Sequence, residues 1–241
     1  MQMETKNLST GNNDAQMHEK LRLALGEDEL SWMQEKAQAY FDMIAYYRCA
    51  MMEVETKLNV LNEEYSIRYS RNPIMSIKSR IKTLESIRNK LQRKGLSFRL
   101  DVLQDNIYDV AGLRVICAFT EDVYSIADSL LSQDDVRLIH LRDYIKNPKP
   151  SGYRSLHLII EVPIFLASEK RLMKVEIQLR TVAMDCWASL EHQLRYKKDR
   201  DFTDEMANEL TRCALISAEL DERMNKLRRE MEALPSAEAK E

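Results

Sequence analysis

Lys174-Val175-Glu176-Ile177-Gln178-Leu179-Arg180 decides how this chain folds. Side chains of a strand point alternately to its two faces, so Val175, Ile177 and Leu179 share one side and Lys174, Glu176, Gln178 and Arg180 the other. One face belongs to a core and the other is wholly polar. That polar face is either a solvated sheet surface or the floor of a site, and alternation alone leaves both open. Short, β-branched runs between turn residues surround it: residues 113–119, 136–141, 155–162 and 173–181 read as strands. Residues 121–132 and 182–196 read as helices packed on them. The middle of the chain is therefore α+β, a mixed β-sheet with flanking helices.

Outward from this centre the periodicity changes. Residues 1–15 are polar and aperiodic, a disordered tail. Residues 16–70 are helical, with Leu30, Met33, Ala37, Tyr40, Ile44 and Tyr47, then Met51, Val54, Leu58 and Leu61, at three- and four-residue spacing. A break is expected at Gly26-Glu27-Asp28, with Asp28 as cap. Asn72-Pro73 punctuates the chain, and a helix is predicted over 74–94, ending at Gly95. It sets Ile77, Ile81, Leu84, Ile87 and Leu91 on one face and carries Lys78, Arg80, Lys82, Arg88, Lys90, Arg93 and Lys94 against one acid, Glu85. The central unit is expected to span 71–200. The remainder, 201–241, reads as one helix with an apolar stripe of Met206, Leu210, Leu215, Leu220, Met224 and Leu227, and a frayed end from Pro235.

The 241 residues, 44% hydrophobic, suffice for one ordinary core. Lys+Arg 36 against Asp+Glu 39 leaves a net charge of -3, so no global field draws the protein to nucleic acid or anionic lipid. Cys49, Cys117, Cys186 and Cys213 lie far apart without metal-binding spacing, which argues against structural zinc or disulfides; they are expected as buried thiols. Neither a run of ~20 apolar residues nor an apolar signal-peptide core is present, so a cytoplasmic protein with no membrane partner is expected.

Three further stretches carry candidate chemistry. In Gly152-Tyr153-Arg154-Ser155-Leu156-His157, alternation would project Tyr153, Ser155 and His157 together. Tyr153 has a face for stacking on a base, whereas a lone histidine such as His157 is more often structural than catalytic. The loop 142–150 holds Arg142, Lys146 and Lys149 with Pro148 and Pro150; it is a solvated connection or a phosphate grip. Asp109 precedes a predicted strand that carries Arg114 near its start. Asp109 and Glu176 are 67 residues apart, so only the fold can join them. Joined beside cations they suit Mg²⁺ and a polyphosphate; apart they are ordinary surface acids, and spacing does not choose.

The words SRIKTLESIRNK, DVAGLR, RDYIKNPKPSGYRSLH, VEIQLRT and WASLEHQLRYK, in this order between about residues 70 and 200, resemble the synthetase domain of the RelA/SpoT family and, by chain length, its small alarmone synthetases. Five words in order are far more specific than one motif. The resemblance implies a nucleotidyltransferase-like synthetase fold with N- and C-terminal helical extensions. It implies transfer of the β,γ-diphosphate of ATP to the ribose 3′-hydroxyl of GDP or GTP, with Mg²⁺, giving ppGpp or pppGpp plus AMP in stringent-response signalling.

By motif, Arg80 and Arg114 would sandwich the adenine; Lys82, Ser86 and Lys90 would hold the ATP phosphates. Asp109 would bind the metal, and Glu176 would activate the 3′-hydroxyl while also touching the metal. Arg142 and Lys149 would meet the acceptor's phosphates and Tyr153 its guanine, so that Tyr153→Phe would be nearly neutral. His157 and Gln178 join the acceptor site, Gln178 in a support role that Arg180 and His192 share.

Relatives with a hydrolase domain carry a His-Asp metal pair, but His18, His140, His157 and His192 are followed by Glu, Leu, Leu and Gln, so hydrolysis is not expected. Glu55, Asn59 and Ser76 stand where some relatives bind product allosterically, which leaves that activation unsupported. The resemblance implies a homotetramer formed through the terminal helices and admits single-stranded RNA as a regulator. Two rival readings share the core: a tRNA 3′-end pyrophosphokinase of the toxin-like kind, which needs a basic RNA path, and a non-catalytic nucleotide- or RNA-binding oligomer, which needs neither carboxylate.

Overall fold

The computed structural model describes residues 27–196 and 202–234. The expected tail over 1–15, the helical start over 16–26 with His18, and the frayed end over 235–241 lie outside the described residues. The chain forms two compact units, residues 1–45 and 46–241. Helix α1 (Glu27–Tyr69) crosses from the first unit into the second, and its part in the first carries the Gln38 Nε2 to Asp42 Oδ1 hydrogen bond, 2.8 Å, across one turn. Because α1 starts at Glu27, Asp28 lies inside its first turn and not ahead of it as a cap.

The second unit is built on a five-stranded mixed sheet in the order β1-β2-β5-β4-β3. The strands are β1 (Ile74–Ile81), β2 (Ala111–Cys117), β3 (Arg137–Asp143), β4 (Leu156–Phe165) and β5 (Lys170–Thr181). β2 and β5 run parallel, and the other neighbours run antiparallel. Val175, Ile177 and Leu179 are fully buried with Val115, Leu158 and Ile160. Helix α4 (Thr120–Leu131) contributes Val123, Ile126, Ala127 and Leu130 to this core. Each buried side chain of this size is worth about 1.5–3 kcal/mol. A slip of one residue in β5 would send Glu176 into the core and Ile177 out of it, so burial alone sets the register of the polar face.

The predicted helix over 74–94 is two elements. Residues Ile74–Ile81 pair with β2, from Ile74 opposite Cys117 to Ile81 opposite Ala111. Only then does helix α2 (Leu84–Arg93) begin, capped by Thr83, whose Oγ1 accepts from Ser86 N at 3.2 Å. The spacing of Ile77, Ile81 and Leu84 imitates a helix, but the open edge of β2 supplies backbone partners that overrule it. Thr83 was the signal within that run. The helix stops as expected at Gly95, where φ is 68°. A short helix α3 (Leu100–Asn106), which no sequence pattern announced, buries Leu103.

Helices α5 (Val182–Tyr196) and α6 (Asp204–Glu232) pack on each other through Trp187, Ala188 and Ala214, joined by Leu210 and Tyr153. Trp187 Nε1 donates to Leu210 O at 2.9 Å. Cys186 and Cys213 neighbour these contacts in sequence and therefore point away: both are exposed, Cys49 is half-buried, and only Cys117 is fully buried as expected. Apart from Leu210, the side of α6 that docks is not its apolar stripe. Ala214, Asp221 and Asn225 are buried, while Met206, Leu215, Leu220, Met224 and Leu227 are exposed. Asp221 Oδ2 accepts from Thr181 Oγ1 at 2.8 Å. Arg228 pairs with Glu121 and with the buried Asp122, whose carboxylate also takes Arg71 Nη1 at 2.7 Å. Among the described residues no helix is long and apolar enough to cross a membrane.

Candidate active site

The polar face of β5 is not a solvated surface. Glu176 and Gln178 are half-buried and Arg180 is buried. Gln178 Nε2 donates to Glu176 Oε2 at 2.9 Å, and Arg180 Nη2 donates to Gln178 Oε1 at 3.0 Å. From β4, His157 brings Nδ1 to 3.6 Å from Glu176 Oε1, and its Nε2 lies 2.8 Å from the Tyr153 hydroxyl. That hydroxyl accepts from Arg180 Nη2 at 2.7 Å, which closes a ring of five side chains that includes the Glu176 carboxylate. Burial pushes the Glu176 carboxyl up, but His157 and the Gln178 amide outweigh it and hold it below the usual range. Asp109 is near enough for its negative charge to act on Glu176.

Asp109 lies just before β2. Its Oδ2 accepts from Lys82 Nζ at 2.5 Å and Lys90 Nζ at 2.7 Å. Burial raises its pKa, yet these two ammonium groups overcome that and keep it below the ordinary carboxylate range. Its Oδ1 is buried with no hydrogen-bond partner. A bare carboxylate oxygen beside a second carboxylate fits a hard cation. Among the described residues no group of three or more His, Cys, Asp or Glu could hold a metal. Mg²⁺ takes one or two carboxylates and fills its shell with phosphate and water, so Asp109 and Glu176 are the residues that would hold it.

Glu176 stands between two clefts. One, about 290 Å³, is lined by Lys90, Lys94, Tyr108, Asp109, His140, Arg142, His157 and Glu176 among others. The other, about 130 Å³, is lined by Lys78, Ser79, Arg80, Gly112, Arg114 and Gln178, again with Glu176. The fold thus joins Asp109, Glu176, Lys90, Arg142 and His157 in the first cleft and Arg80, Arg114 and Gln178 in the second, with Lys82 reaching the first through Asp109.

Other candidates sit apart. Ser86 is outside both clefts and accepts from the Thr83 hydroxyl at 2.9 Å. Lys149 lies with Nζ 4.7 Å from the ring centroids of both Tyr144 and Tyr153, and Arg180 lies 5.1 Å from the Tyr153 centroid. Ser155 does not project with Tyr153 and His157; it is buried and donates to Leu179 O at 3.0 Å, tying the start of β4 to β5. His192 is exposed on α5, outside both clefts.

Sequence reasoning missed Asp185. In the first turn of α5, it places Oδ1 3.1 Å from Arg180 Nη1 and 3.3 Å from Arg114 Nη1. Its only trace in the sequence is an acid four residues after Thr181, whose Oγ1 accepts from Met184 N at 3.1 Å and so shapes that turn.

A half-buried sheet face with two carboxylates beside basic clefts has the charge pattern that a polyphosphate and a hard cation require. Residues 79–201 match the region found in RelA/SpoT proteins. The chain is 43% identical over 186 residues to GTP pyrophosphokinase YwaC of Bacillus subtilis (strain 168), covering 77% of this chain and 89% of that protein. Its fold is similar to the crystal structure of small alarmone synthetase 2 from Bacillus subtilis, with TM-score 0.72 and 42% identity over 79% of this chain and 98% of that one. It is also similar to small alarmone synthetase 1 from Bacillus subtilis bound to its product pppGpp, with TM-score 0.73 and 33% identity over 80% of this chain and 98% of that one. The chain therefore belongs to the RelA/SpoT family.

Proposed function

We propose that this chain is a Mg²⁺-dependent pyrophosphokinase that makes ppGpp or pppGpp from ATP and GDP or GTP in the cytoplasm. The observation that carries the reading is Glu176, the residue common to both clefts. A reaction that joins two nucleotides needs its base at their junction. Arg80 and Arg114 flank the donor's adenine, and Lys82, Lys90 and Ser86 serve its phosphates. Arg142 and Lys149 meet the acceptor's phosphates, and Tyr153 meets its guanine. The 3′-oxygen attacks the β-phosphorus, the new O–P bond forms as the α–β bridging P–O bond breaks, and AMP leaves. Glu176 takes the 3′-hydroxyl proton. His157 and Gln178 orient its two oxygens. Bound by Asp109, Glu176 and the phosphates, Mg²⁺ would supply charge neutralisation on the transferring group. The exposed side chains Leu215, Leu220, Met224 and Leu227 along α6 support assembly into a homotetramer.

The test is purified protein with ATP labelled in its β,γ-phosphates, Mg²⁺ and, separately, GDP, GTP, GMP and bulk tRNA. Labelled ppGpp or pppGpp with equimolar AMP is expected, and Glu176→Gln should abolish it while ATP binding stays nearly unchanged. Label found on tRNA alone, or no transfer at all, would overturn the assignment.

A further inference from the structure

Three cations on three adjacent strands converge on one side chain of α5. Lys78 on β1 lies opposite Arg114 on β2, and β2 pairs with β5, which carries Arg180. Asp185 reaches all three: Oδ1 is 3.1 Å from Arg180 Nη1 and 3.3 Å from Arg114 Nη1, and Oδ2 is 4.0 Å from Lys78 Nζ. Arg180 has a side chain only 5% exposed, and a buried cation left unpaired is unstable. Arg114 and Arg180 also repel each other, so the carboxylate between them sets how closely they sit.

The consequences run in two directions. Arg114 lines the smaller cleft. Arg180 uses Nη2 to hold both the Tyr153 hydroxyl and Gln178 Oε1, the two groups that lead to the oxygens of Glu176. Asp185 lines neither cleft itself, but sits behind Lys78 and Arg114 in the wall of the smaller one. We propose that Asp185 is a positioning residue that sets the donor cleft through Arg114 and the orientation of Glu176 through Arg180. This rests on the pyrophosphokinase reading, in which Arg114 meets ATP and Glu176 meets the acceptor.

The test compares Asp185→Ala and Asp185→Asn with wild type in steady-state kinetics for ATP and GTP, in equilibrium titration with a fluorescent ATP analogue, and in thermal melting. For alanine, kcat should fall about 10- to 100-fold and the KM for ATP should rise about tenfold, the effect of lost charge-assisted hydrogen bonds. Analogue binding should weaken in parallel. Asparagine should lie between the two, because its amide oxygen still accepts from Arg180 but carries no charge for Arg114. A purely structural role predicts a lower melting temperature with unchanged kcat and KM per folded molecule, and that result overturns the proposal. Where alanine fails to fold, asparagine decides: wild-type kcat, KM and analogue affinity would equally overturn it. A wild-type enzyme that makes no alarmone yet binds the ATP analogue would defeat the functional reading instead, and the titration would still report on Asp185 and Arg114.

Discussion

The hydroxyl of Tyr153 lies 2.8 Å from Nε2 of His157 and accepts from Nη2 of Arg180 at 2.7 Å. A ring that acted only by stacking would tolerate loss of that hydroxyl, but this one is tied by it to the side chains that steady Glu176. Tyr153→Phe should therefore lower kcat about tenfold, a hydrogen bond to a charged group being worth roughly 1.5–3 kcal/mol. Its KM for the guanine nucleotide should stay within about twofold, because the ring face remains. Tyr153→Ala should raise that KM as well, by loss of roughly 1–3 kcal/mol of stacking. Steady-state kinetics of the pair separates the two contributions, and a phenylalanine variant with wild-type kcat would show that the hydroxyl is idle.

Asp109 holds two lysines with one oxygen and leaves the other buried and unpartnered. Asp109→Asn should shift the Mg²⁺ titration of activity upward at least about tenfold, since a charge-assisted contact is worth roughly 1.5–3 kcal/mol. The same carboxyl bears on stability. Its folded pKa lies below the ordinary value, so it stabilises the fold above the unfolded carboxylate pKa, and that contribution disappears as pH falls through the folded value. Melting temperatures of wild type and Asp109→Asn should differ near neutrality and converge in acid. Parallel curves across that range would contradict the assignment.

Gly152 closes the turn before Tyr153 with φ at 86°, and a Cβ there would stand 2.4 Å from the Ala214 Cβ of α6. Gly152→Ala should destabilise by about 1–3 kcal/mol from overpacking and ~1 kcal/mol more from the left-handed backbone. Adding Ala214→Gly should recover the packing share and leave the backbone share. Denaturant titration of the double-mutant cycle measures both, and simple additivity of the two substitutions would refute the contact.

Asp221 is the counterexample among the buried carboxyls. Burial raises its pKa, and neither the Thr181 hydroxyl nor the charge of Arg154 brings it back. Ionisation in the folded state is therefore unfavourable above the folded pKa, and the penalty disappears below the unfolded one. Asp221→Asn keeps an acceptor for Thr181 Oγ1, so it should raise the melting temperature at pH 8 by a few degrees, with the gain shrinking toward pH 4. A loss of stability at pH 8 would mean that the charge itself holds α6 in place.

Alternation in β5 was enough to place Glu176, Gln178 and Arg180 on one face, because a strand has only two faces and Val175, Ile177 and Leu179 must be buried. Turn residues and β-branched runs were likewise enough for β2 to β5 and for α4 to α6, and the five ordered words for the family. Tertiary structure alone decided the rest. Ile74–Ile81 became a strand because β2 offered it an edge, and hydrogen-bond partners distant in sequence leave no mark in local periodicity. Ser155 turned into the core because β4 begins only at Leu156, so strand alternation does not extend back to it. Asp185 found two arginines through the pairing of β2 with β5, and Asp109 met Glu176 by the same pairing. Side-chain alternation determines which way a residue faces; what it faces depends on which distant strand is hydrogen-bonded alongside.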